Sequence, residues 1–195
     1  MKQRIPMTPE NMIDVSAKRY HVGRINILIL AAFTLINIVM LAAGNYTYFL
    51  FSAAVPYLLV DYGMFFTGRY PQEAYEALDS AFEFYNDSFF YIALAISFII
   101  ILFYVVCFLL SKRHIGWLIA AFAAFILDTA MMFLFYDLAS SIVDIIFHVY
   151  VIVYFALAIA GYFKLKTLLA ERAAQDALTV SVETAEDEGA DGTEQ

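Results

Sequence analysis

Two apolar runs joined by the short polar turn Asp137-Leu138-Ala139-Ser140-Ser141 constrain this chain more than any other feature. The first reads IGWLIAAFAAFILDTAMMFLFY from Ile115, and the second reads IVDIIFHVYVIVYFALAIAGYF, ending at Phe163. Each meets the roughly 20 residues that a helix rising about 1.5 Å per residue needs to span a hydrocarbon core. The turn is too short for the two helices to be anything but antiparallel neighbours, so residues equidistant from its midpoint near Ala139 are expected at equal depth.

That register brings Asp128 to the level of His148. A carboxyl near the middle of a span costs roughly 2.5 to 3.5 kcal/mol on insertion scales, so it is expected to face protein or water and to have a partner. Stepping back from Asp128 by four gives Ala124, Ala120 and Gly116, a small-residue series that lets another helix approach closely. On the second run, stepping by four from Asp144 gives His148, Ile152, Ala156 and Ala160. The expectation is a tight interface in which Gly116, Ala120 and Ala124 meet Ala156 and Ala160. A polar pocket of Asp128, Asp144 and His148 would then lie near the turn.

Of the 195 residues, 63% are hydrophobic and 15% charged, more apolar surface than a soluble domain can hide. The net charge of −8 comes from an acidic outer loop and an acidic tail, which argues against nucleic acid as a partner. Cys107 is the single cysteine, so an intramolecular disulfide and paired-cysteine redox chemistry are excluded. About two dozen mostly polar residues precede the first apolar run, which reads as an uncleaved anchor.

In chain order, residues 1–24 form a basic arm, with Pro6 and Pro9 expected to discourage a long helix. The predicted spans are 25–43, 89–110, 115–136 and 142–163. Between the first two lies YTYFLFSAAVPYLLV, apolar enough to enter a membrane but interrupted by Pro56. Charge decides its path. If 46–66 does not cross, every one of the 11 basic residues except Arg69 falls on one side; if it crosses, they divide six against five. The positive-inside rule prefers the first arrangement, with both termini cytoplasmic and 46–66 a re-entrant or interfacial hairpin; five spans is the alternative. Residues 70–86 place Tyr75, Leu78, Phe82 and Tyr85 at helical spacing and predict an outer amphipathic helix. The acidic tail, 167–195, is predicted to be largely disordered after a helical start.

With four spans, Asn37, Ser97, Asp128, Asp144 and His148 all fall in the outer half of the membrane. One reading is a solute or proton site, with Asp128 as the carboxylate and His148 as its titrating partner; the other is an interhelical hydrogen-bond cluster. Asp144 and His148 have the i, i+4 spacing of two ligands on one helix face, with Asp128 a third, but this open set does not lead to an expected metal or cofactor. No G-x-S-x-G elbow, H-E-x-x-H or phosphate-cradling glycine loop is present, so no enzymatic activity is expected.

The stretch NYTYFLFSAAVPYLLVDYGMFFTGRYP, together with GWLIAAFAAFILDTAMMFLFY, resembles a group of uncharacterised small bacterial multi-span membrane proteins. The likeness covers about Arg24 to Lys166. It implies a bacterial inner-membrane setting and supplies no activity. The sequence therefore predicts an all-α integral membrane bundle of four transmembrane helices plus the hairpin and the outer helix. The expected role is that of an interaction or accessory protein, with the lipid bilayer, further copies of itself or another membrane protein as partners. The alternative is a small transporter or sensor with a protonatable outer pocket.

Overall fold

The computed structural model describes residues 8–78, 82–136 and 142–190, with side chains to residue 181. The chain forms α1 (Pro9–Ala42), α2 (Ala54–Phe66), α3 (Ser88–Leu110), α4 (Ile115–Phe135) and α5 (Ile142–Ala190), with a 3-10 turn at Gln72–Tyr75. No strand occurs among the described residues. Among them, 4 helices, α1, α3, α4 and α5, are long and apolar enough to cross a membrane. The apolar α2 has 13 residues, so at 1.5 Å per residue it covers about 20 Å, short of a roughly 30 Å core. The turn expected at 137–141 lies outside the described residues.

Both ends of the chain carry more helix than expected. Thr8 caps α1 by accepting the Asn11 N–H, and Pro9 stands in the first turn. Proline is at home there because its φ is already helical and its missing N–H would have had no partner. The residue expected to discourage a helix thus opens one, and Lys18, Arg19 and Arg24 of the supposed arm are helical. At the other end α5 runs through Lys164 and Lys166 to Ala190, carrying the expected helical start on over 179–190, where disorder was expected. The stretch TLLAERAAQDAL consists mostly of strong helix formers, and its residues Leu168 to Asp176 face Pro9 to Ile13 of α1.

The first helix packs tightly against the last. Gly161 lies against Ser16 and Arg19, and Gly23 lies against Tyr154 and Ala158. A Cβ on Gly23 would sit 2.1 Å from that of Ala158, so only glycine allows the two backbones this close. The small-residue interface expected between α4 and α5 is a correction: Gly116 meets nothing within 4 Å, Ala156 and Ala160 are exposed, and Ala120 and Ala124 are only half-buried. Aromatic rings fill that interface instead, with Phe155 centred 6.0 Å from both Phe122 and Phe125. The depth match read from the turn agrees with this, but α4 is rotated so that Leu118, Ala121, Phe125 and Asp128 point inward.

After α1 the chain doubles back. Gly44, at φ +78°, closes the helix while its own N–H reaches Leu41 O at 2.9 Å and the Asn45 N–H reaches Met40 O at 2.8 Å. The following residues run beside α1 in the reverse direction, bringing Phe49 to Asn37 and Ala53 to Thr34. That is eight residues, or about 12 Å, back from the end of α1. α2 then returns antiparallel to α3, with Pro56 beside Ser97 and Gly63 beside Phe90 and Ala93.

The connection between α2 and α3 is not the predicted outer amphipathic helix. Among the described residues of 70–86 only the 3-10 turn is helical. Phe65 and Phe66, at the end of α2, gather Tyr70, Tyr75, Phe82 and Tyr85, and the Tyr85 N–H donates to Phe66 O. Packing on that aromatic pair overrides a helical spacing that has no apolar surface of its own to cover. Tyr70 donates its hydroxyl to Asp61, and burial together with that carboxylate holds the phenol above its ordinary pKa.

Candidate functional site

Three of the five polar side chains singled out within the spans, Asn37, Ser97 and Asp128, converge on one object, the backbone of the doubled-back segment. Asn37 donates to Phe49 O (2.7 Å) and Ser52 Oγ (2.9 Å) and accepts the Phe49 N–H (2.8 Å). Ser97 lies 2.9 Å from Pro56 O and from Ala93 O of its own helix. Asp128 accepts the N–H groups of Ala54 and Val55, one on each carboxylate oxygen, both at 2.8 Å. Asn37 and Ser97 are fully buried, and Asp128 is 5% exposed.

The arrangement follows from what a buried helix start requires. The first four N–H groups of a helix have no partner within it. At α2 these belong to Ala53, Ala54, Val55 and Pro56. Ala53 has no side-chain oxygen to act as a cap, and its own N–H goes to Thr34 Oγ1 at 2.8 Å. Asp128 takes the next two, and Pro56 has none to offer. The set is therefore complete without water. The carboxylate also sits at the positive end of the α2 dipole, which stabilises its negative charge.

His148 completes the cluster. It is 3% exposed, its ring is stacked on Phe125 at 5.1 Å, and Nε2 lies 3.6 Å from Asp128 Oδ2. Nδ1 is 2.9 Å from Asp144 O, one turn back. A carbonyl can only accept, so Nδ1 carries the hydrogen. Nε2 is then a bare lone pair in the neutral ring and a second donor in the imidazolium. It is buried and has no hydrogen-bond partner.

Asp144 lends this carbonyl to the cluster, and its half-buried side chain makes no hydrogen bond to Asp128 or His148. No three His, Cys, Asp or Glu side chains form a metal-binding group among the described residues.

Sequence reasoning missed Thr34, Ser52 and Tyr48, the last accepting from Ser52 at 2.8 Å. Thr34 stands one turn before Asn37 on the same face of α1, the one available signal. A threonine within a helix ordinarily satisfies itself on the carbonyl four residues back, as Thr34 also does with Leu30 O at 2.7 Å. A second polar knot joins α1 to the end of α3. Arg24 donates to Ser111 Oγ (2.9 Å) and Phe108 O (3.2 Å), and Tyr20 donates to Ser111 O.

The chain matches no protein-family model, no curated protein and no solved structure.

Proposed function

We infer that this chain is a multi-pass protein of a bacterial inner membrane, without enzymatic activity, that acts through helix packing with further copies of itself or with another membrane protein. The observation that carries the reading is the use of the intramembrane polar groups. Asn37, Ser97 and Asp128 are buried and engaged with the backbone of 49–56, so they hold the protein's own shape and offer no lining to a solute. On this reading 46–66 is a re-entrant hairpin, tolerable at membrane depth because four side chains from three helices satisfy its backbone. The termini are cytoplasmic, where all basic residues but Arg69 then lie. Ala156 and Ala160 form an outward small-residue surface on α5 that suits a partner helix.

One observation favours the second reading, a proton-responsive sensor or transporter: the unpartnered Nε2 of His148 facing Asp128. Two measurements separate the readings. In a Cys107→Ser background, cysteine at Ala160 is expected to cross-link within native membranes, whereas cysteine at the equally outward Leu102 of α3 is not. In reconstituted vesicles, His148→Phe is expected to leave solute and proton flux at the background level of the parent protein. No cross-link at either position, together with a flux driven by a pH gradient and abolished by His148→Phe, would replace the packing reading with the sensor or transporter.

A further inference from the structure

A groove between α1 and α5, at the end of the bundle that carries both termini, combines apolar walls with two cations. Its walls are apolar, formed by Val15 and Val22 of α1 with Tyr154 and Leu157 of α5, and enclose a cavity of about 280 Å³. Lys18 and Arg19 complete its lining. Val15, Lys18, Arg19 and Val22 share one face of α1 by their i, i+3, i+4, i+7 spacing. Both cations are exposed, and neither has an ion-pair partner within 4.0 Å among the described residues.

Depth within the bundle orders these groups. Arg19 lies level with Gly161, whereas Tyr154 stands seven residues, or about 10 Å, further into the apolar part of α5. Tyr20 and Arg24 on the same helix are tied to Ser111, at the point where α3 gives way to Lys112 and Arg113. The cations therefore sit at the level where helices leave the apolar layer, and the groove descends from them along Val22, Leu157 and Tyr154.

We propose that this groove binds one anionic phospholipid of the adjoining leaflet, its phosphodiester between Lys18 and Arg19 and an acyl chain against Val22, Leu157 and Tyr154. The proposal rests on the membrane reading but not on the packing role. A free inorganic anion would gain the two cations but leave the apolar walls uncovered. A zwitterionic lipid would fill the walls but bring its own cation to Lys18 and Arg19. A basic pocket between transmembrane helices is the recurring form of such lipid sites.

Native mass spectrometry of the full chain in detergent, titrated with phosphatidylglycerol or phosphatidylcholine of matched acyl chains, tests it. The parent protein is expected to retain phosphatidylglycerol in preference to phosphatidylcholine. The double substitution Lys18→Gln, Arg19→Gln is expected to lower phosphatidylglycerol occupancy by roughly tenfold, whereas Lys112→Gln, Arg113→Gln, of equal charge change outside the groove, leaves it unchanged. Leu157→Trp fills the groove without touching its charge and is expected to lower binding of both lipids. Millimolar inorganic phosphate is expected not to displace the lipid. Parent-level phosphatidylglycerol binding in the Lys18/Arg19 variant or in Leu157→Trp, or displacement of the lipid by phosphate, would overturn the site.

Discussion

At Asp128 the two oxygens matter separately, because each accepts a different backbone N–H at the start of α2. Asparagine keeps one acceptor and turns an amide NH₂ toward the other N–H, so the isosteric change is not neutral here. An unsatisfied buried donor costs about 1–3 kcal/mol. Asp128→Asn is therefore expected to destabilise by about that amount and Asp128→Ala by more, since the alanine leaves both N–H groups without a partner. Thermal unfolding in detergent checks the order, and an asparagine variant as stable as the parent would show that the cap is dispensable. That Asp128 needed a partner was legible from its place in an apolar run, and its neighbour His148 was legible from the turn. Its main ligands were not, because they are backbone groups of a segment 74 residues away, and amides leave no trace in the side-chain pattern.

At the level of helices, depth could be read and rotation could not. Counting outward from 137–141 placed Asp128 beside His148 because equal rise on two antiparallel helices needs only the turn's position. Which face of α4 turns inward depends on every neighbour at once, and Phe122, Phe125 and Phe155 bury more surface there than alanines would. The small-residue contact lies instead between α1 and α5, where it joins residues more than a hundred positions apart. Its signal, Ser16 and Gly23 with Ala158 and Gly161, becomes visible only once the two helices are known to be neighbours. Gly23→Ala is expected to force these helices apart, at the roughly 1–3 kcal/mol typical of overpacking. Adding Ala158→Gly removes the opposing methyl and should recover part of that loss. Unfolding midpoints of the two single variants and the double variant complete the cycle, and strict additivity would mean that the two methyl groups never meet.

For the whole molecule, the four-span reading places Glu76 on the face opposite Lys112 and Lys164. With Cys107 changed to serine, a single cysteine at 76 is expected to react in intact cells with a membrane-impermeant thiol reagent. Cysteines at 112 and 164 should react only in inverted vesicles. Reaction of 112 and 164 in intact cells, with 76 reacting only in inverted vesicles, would require α2 and its approach to cross, restoring the five-span alternative. The all-helical class and the long apolar helices follow from hydropathy alone; the length of the terminal helices does not, because α1 and α5 extend each other by mutual contact beyond the apolar runs. Mutual dependence also governs how the chain is made. The start of α2 leaves the ribosome well before α4, yet the N–H groups of Ala54 and Val55 find their acceptors only on Asp128, and α1 waits for its principal partner until the last helix emerges. During synthesis the early half of this protein must therefore remain provisional, with its innermost loop set in place by residues that arrive late.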